Sequence, residues 1–170
     1  TLAPLFHAQH PDVKISLNLS DRVIDLAAEG FDFAVRVGDL PDSSLVSVRL
    51  ADNRRLCVAT PAYLAKHGTP QHPSDLLHHS CLTLSSDASQ TRGWAFKTAS
   101  PDNPEGPEVT HLRPNGPLDC SDGQVLHSWC LAHMGFAWRS TWEVENDIQS
   151  GQLVEVLAHF AAPPNGIYGV

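Results

Sequence analysis

Two hydrophobic periods divide this chain. At its start Leu2, Leu5 and Phe6 recur at helical spacing, predicting a helix over Thr1–His10 that Pro11 ends. Val13, Ile15, Leu17 and Leu19 then alternate with polar residues, the period of a strand with one face buried more deeply. The stretch Asp21–Leu50 is the most informative. Asp21 can cap a helix whose apolar side is Val23, Ile24, Leu26 and Ala27, and Gly30 can end it. Phe33, Ala34, Val35 and Val37 form a strand core, with Arg36 and Gly38 near its C-terminal end, where open α/β sheets place ligands. Strands near Val46–Leu50 and Arg55–Thr60 flank a polar turn at Asp52 and Asn53, and Pro61 opens a short helix, PAYLAKH, that leaves at Gly68. This strand and helix alternation predicts a mostly parallel sheet covered by helices.

The texture changes after Gly68. TPQHPSD is polar and proline-rich, SDLLHH suits one helical turn, and CLTL suits a strand. WAFK reads as an exposed strand between loops at Ser85–Gly93 and Ala99–Pro107. Glu108–Arg113 and Leu118–Ser121 read as strands joined by an Asn115–Gly116 turn. Asp122–Met134 is an amphipathic helix carrying Val125, Leu126, Trp129 and Cys130, capped by Ser121 or Asp122 and ended by Gly135. FAW is a short buried strand, Thr141–Gln149 a helix, and LVEVLAHF and IYGV are strands, the last rejoining the first sheet. The expected organisation is an α/β chain of two lobes. Residues 1–72 form the first, 73–157 the second, and 158–170 return to the first, with a small-molecule cleft between them.

Composition narrows the function. In 170 residues, 42% are hydrophobic and 18% charged, a globular balance. Eleven Lys and Arg stand against 19 acidic residues, a net charge of -8, so the chain lacks the basic footprint of a module that grips nucleic acid by itself. No apolar run has membrane-spanning length and no signal peptide is visible, though the chain does not begin with Met. Cys57, Cys81, Cys120 and Cys130 are widely spaced and suit buried free thiols in a reducing cytoplasm.

Catalytic signals are weak. There is no GxSxG elbow, and Cys57 sits in an apolar strand, so no enzymatic role is expected. His127, Cys130 and His133 have the atom types of a zinc site, but the outer pair is nearly two turns apart and no CxxC supports them. His78, His79 and Cys81 fare no better; neither a metal nor a cofactor is expected. A distributed pocket signal is more coherent. Arg36 to Gly38 end one strand, Thr60 ends another before a helix, and Ser121, Asp122 and Gly123 begin a helix whose amides suit a small anion. Trp138 is a candidate cleft wall.

The blocks LAPLFHAQHPDVKISLNLSDRVIDLAAEGFDFAVRVG, DSSLVSVRLADNRRLCVATPAYLAKHGTPQHPSDLLHHSCL, GPLDCSDGQVLHSWCLAHMGFAW and DIQSGQLVEVLAHF resemble the effector-binding region of LysR-type transcriptional regulators. The resemblance implies two Rossmann-like lobes like those of a periplasmic binding protein, incomplete here at both ends. The first strand would precede Thr1, and further structure would follow Val170. It implies that Val37, Gly38 and Thr60 face the cleft from the first lobe and Ser121, Asp122, Phe136 and Trp138 from the second. It also implies a small polar or anionic effector, a cytoplasmic homodimer, and DNA contact through an N-terminal domain outside this chain. In that dimer the Leu2–His10 helix would meet the second-lobe helix through Val125, Leu126 and Trp129. FAWRST departs from the family's apolar-to-proline exit near the cleft. The alternatives are a solute-binding receptor and a small-molecule enzyme.

Overall fold

A computed structural model describes residues 2–20, 25–38, 45–85, 93–100 and 103–170. Helix α1 (Leu2–Gln9) leads into an extended segment, 13–20, that joins no sheet among the described residues. Its alternation is that of a strand, yet alternation selects a face and does not supply a partner. Helix α2 (Leu26–Glu29) is capped by Asp25, whose carboxylate accepts from the N–H groups of Ala27 and Ala28, each at 3.1 Å. The expected cap, Asp21, and the apolar Val23 and Ile24 lie outside the described residues.

Two three-stranded sheets organise the rest. In the first, β10 (Asn165–Gly169) lies between β1 (Val35–Val37) and β2 (Val48–Asn53). The C-terminal strand thus rejoins the first sheet as expected. In the second, β3 (Arg55–Ala59) lies between β8 (Ala137–Ser140) and β9 (Val154–Val156). Pairing within both is antiparallel, which corrects the expectation of a mostly parallel sheet. The parallel contacts among the described residues are β4 (Thr83–Leu84) with β7 (Asp119–Cys120) and a Cys81–Phe136 bridge.

The polar residues Asp52 and Asn53 do not make a turn between neighbouring strands. β2 runs through them, and Arg54 alone separates it from β3 in the other sheet. Residues 1–72 therefore contribute strands to both sheets. Helix α3 (Pro61–His67), with Thr60 as its cap, follows β3 on the second sheet's side. Leu118–Ser121 and Glu108–Arg113 are not a hairpin either. β6 (Asn103–Leu112) pairs with β5 (Trp94–Ser100), and β7 pairs with β4. WAFK is not exposed along its length, because Trp94 and Phe96 are buried in the apolar core on the second sheet.

That core explains β3. Cys57 and Ala59 face one apolar cluster with Tyr63, Leu76, Cys81 and Phe136. Leu56 and Val58 face another with Leu82, Leu126, Val144 and Leu153. A strand buried on both faces is apolar throughout rather than alternating. Helix α4 (Gly123–Leu131) covers the second cluster with Leu126 and Cys130, and α5 (Thr141–Gln149) covers it with Val144. Helix α4 ends three residues before the expected Met134; Ala132 caps it and His133 takes a left-handed φ of 65°. LVEVLAHF is only partly strand, since Ala158–Phe160 form a 3₁₀ turn. The first sheet, by contrast, leaves one apolar face open: Phe33, Val35, Val48 and Leu50 are all more than half exposed.

Candidate functional site

Both passages of the chain between the two sheets run side by side. On the way out, β2 ends at Asn53; on the way back, β10 begins at Asn165, its register partner. Everything the sequence nominated as a site can be placed relative to this crossing.

Val37 and Gly38 lie beside it. Val37 pairs with Ile167, and the Gly38 N–H donates to the Gly166 carbonyl at 2.9 Å. Gly38 has φ 104°, a conformation that side chains rarely adopt, and an added Cβ would touch Asn165 Nδ2 at 3.6 Å. Ser121 and Asp122 precede α4 on the second sheet's side. Arg55 pairs with Ser140, and the Thr141 N–H donates to the Arg54 carbonyl at 2.9 Å, so the end of β8 adjoins the crossing. Arg139, next in that strand, lies flat against Gly123 at the start of α4; a Cβ on Gly123 would clash with its guanidinium.

Arg139 is buried and ion-paired to Glu143, whose other oxygen accepts the Ser140 N–H at 3.0 Å. Its Nε has no hydrogen-bond partner among the described residues. The Asp122 carboxylate accepts from the N–H groups of Gln124 and Val125, both at 2.9 Å. Two of the helix-start amides that the sequence offered to an anion are thus already satisfied. Positive charge at the crossing comes instead from side chains. Arg49 pairs with Asp52 at 2.6 Å, Arg54 with Glu155 at 4.0 Å, and the Arg55 guanidinium stands 4.7 Å from the Trp138 ring centroid. Trp138 is half-buried and stacks on Trp94 with centroids 6.3 Å apart.

Thr60 and Phe136 lie elsewhere. β3 leaves the crossing at Arg55, and Thr60 comes five residues later, about 16 Å away at strand rise. Thr60 is buried; its hydroxyl accepts from the Tyr63 N–H at 3.3 Å and meets His133 Nδ1 at 2.8 Å. Phe136 is 0% exposed, so its ring has no surface to offer a ligand. It packs edge-on against Tyr63 and His79, each with centroids 5.1 Å apart.

Sequence reading did not foresee the polar group gathered at this far end. The Tyr63 hydroxyl accepts the Ser80 N–H at 3.1 Å and lies 3.4 Å from His79 Nδ1. Burial raises the Tyr63 pKa, and burial, then the neighbouring His67, lowers that of His79. Their separation in sequence left no local signal. His127, Cys130 and His133 do not converge: His127 Nε2 pairs with Asp147 at 2.8 Å, Cys130 is buried, and His133 turns to Thr60. Among the described residues no helix is long and apolar enough to cross a membrane.

The family profile described as LysR substrate binding domain matches residues 1–170. The chain belongs to the LysR substrate-binding domain family. It is 35% identical over 156 residues to the HTH-type transcriptional regulator DmlR of Escherichia coli K12, covering 92% of this chain and 48% of that protein. It is 37% identical to the HTH-type transcriptional regulator CrgA of Neisseria meningitidis serogroup C, covering 98% of this chain and 55% of that protein. The chain thus spans about half the length of these relatives. The structure of the CrgA regulatory domain from Neisseria meningitidis superposes with a TM-score of 0.77 at 32% identity, over 99% of this chain and 78% of that one. The full-length Vibrio cholerae virulence activator AphB superposes with a TM-score of 0.78 at 26% identity, over 98% of this chain and 54% of that one. The fold is accordingly the two-lobed one resembling periplasmic binding proteins, and the chain is a substrate-binding domain of the kind its relatives, named as transcriptional regulators, contain.

Proposed function

We propose that this LysR substrate-binding domain senses a small polar or anionic effector between its lobes, at the chain crossing, and that its full-length parent regulates transcription as a cytoplasmic homodimer through a DNA-binding domain outside these residues. The observation that carries the placement is the approach of Gly38, just beyond β1, to Asn165, and of the end of β8 to Arg54, at the paired strands. In this reading Val37 and Gly38 border the site, Trp138 is its wall, and Ser121 and Asp122 close it from the opposite face of the second sheet. Arg55 supports an anionic group on the effector, because a positive side chain at a lobe junction acts on it whatever the net charge of the chain; Arg49 and Arg54 face Asp52 and Glu155. Thr60 and Phe136 belong to the packing of the far end.

A thermal-shift screen of small carboxylates, amino acids and sugar acids, followed by calorimetric titration of the best hit, tests this. Ser121→Ala and Trp138→Ala each weaken the hit about tenfold or more, equivalent to about 1.4 kcal/mol. Thr60→Val leaves its affinity unchanged. A hit that loses affinity with Thr60→Val and not with the other two moves the site to the far end. Operator binding by the full-length protein, with and without the hit, then tests the regulatory reading.

A further inference from the structure

The crossing contains an amide pair, buried at Asn53 and half-buried at Asn165, to which the effector reading gives no role. The Asn53 side chain is 3% exposed, and its Nδ2 donates to Asn165 Oδ1 at 2.9 Å. The two residues are register partners, one leaving the first sheet and the other entering it. Asn165 is held further by its backbone, whose carbonyl accepts from Arg49 Nη2 at 3.2 Å. Arg54, the residue linking the sheets on the outward passage, has its carbonyl fixed by the Thr141 N–H and hydroxyl at 2.9 and 3.0 Å. Each passage is therefore tied, one to the first sheet and one to α5, and the Asn53–Asn165 bond ties the passages to each other.

Asn53 Oδ1 is buried without a hydrogen-bond partner among the described residues. A buried amide left half-satisfied costs stability, where an apolar side chain of similar size costs nothing of that kind. Packing alone gives no reason for asparagine at position 53. A directional bond between the passages does. Two lobes joined by a pair of strands move by changing backbone angles at those strands, and a side-chain bond across the pair resists relative sliding and twist.

We propose that Asn53 and Asn165 are positioning residues, a clasp that sets the angle between the two lobes. Mutual orientation of the lobes follows from this bond and not from the apolar cores, both of which pack on the second sheet. The assignment is independent of where an effector binds.

The test uses spin labels in the full 170-residue chain, one on β2 at Leu50→Cys and one on α5 at Asn146→Cys, with the half-buried Cys120 changed to Ser. The other three cysteines are buried and take no label under native conditions. Pulsed dipolar spectroscopy reads the interlobe distance without any effector. Asn165→Leu, at a half-exposed position, broadens the distribution about twofold. Asn165→Asp, which keeps an acceptor oxygen facing Asn53 Nδ2, returns it to the parental width. Asn53→Leu broadens it as Asn165→Leu does, and the two together add nothing further. A parental width in Asn165→Leu overturns the assignment, and so does Asn165→Asp as broad as Asn165→Leu. Circular dichroism of Asn165→Leu and Asn165→Asp separates loss of folding from loss of orientation.

Discussion

Burial decides what individual side chains can do. Cys81 and Cys130 are almost without exposure, and burial pushes both thiols up to about 12; Asp147 raises Cys130 further while Arg139 opposes it. Burial also holds the Cys57 thiol well above its ordinary value. A thiol whose folded pKa is raised contributes stability that is fully present below the unfolded value near 9 and is lost as pH rises toward 12. Each such thiol lowers stability by about 1.4 kcal/mol per pH unit in that window. Urea unfolding at pH 8, 9, 10 and 11 should show a falling midpoint, with a shallower fall in Cys130→Ala; equal slopes would refute burial as the cause. Iodoacetamide at pH 8 should add once to the native chain, at Cys120, and four times after unfolding. The same distinction separates Trp138 from Phe136. Both are aromatic and two residues apart in one apolar run, but only Trp138 keeps a surface. Sequence marks the run as buried without saying which ring reaches the edge.

Secondary-structure elements are joined here by polar contacts as well as by apolar faces. Glu143 takes the Ser140 N–H at the start of α5 and the Arg139 guanidinium at the start of α4, so one carboxylate fastens two helices to β8. Glu143→Ala leaves a buried guanidinium without its counter-charge and removes the cap acceptor. The expected loss is about 3–5 kcal/mol by chemical denaturation. Arg139→Met with Glu143→Leu should recover most of it, since an apolar pair of similar volume avoids the desolvation. A Glu143→Ala loss below about 1 kcal/mol would mean that Arg139 is solvated. Helix starts of this kind were legible: Asp122 as a cap and Pro61 as a first-turn residue read correctly because capping is local chemistry. Strand partnership was not. β2 and β3 look like hairpin arms across Asp52 and Asn53, yet they belong to separate sheets, because pairing depends on β10 and β8, far along the chain. Thr60 lies away from the crossing for a related reason: the end of a strand is readable, but which end adjoins the crossing depends on partners far along the chain.

Across the whole molecule burial is uneven, and this bears on self-association. Apart from Leu26, every buried hydrophobic residue of the described chain lies at Leu56 or beyond. Helix α1 buries none of its residues, leaving Leu2, Leu5 and Phe6 at 85%, 64% and 47% exposure. The proposed homodimer contact would use this side. On the opposing helix, α4, the roles divide. Val125 is 41% exposed and Trp129 partly so, whereas Leu126, at 2%, is committed to the core and has nothing to give a partner. Covering one leucine or phenylalanine contributes about 1.5–3 kcal/mol, which is tenfold or more in dissociation constant. Sedimentation velocity across a broad concentration range should therefore show the 18.5 kDa chain associating reversibly. Leu5→Glu and Val125→Glu should each weaken that association about tenfold or more without lowering the unfolding midpoint. Both outcomes are needed. A chain that stays monomeric throughout has no such contact, and one whose association survives both substitutions pairs through another surface, the open face of the first sheet at Phe33, Val35, Val48 and Leu50 being the next to substitute.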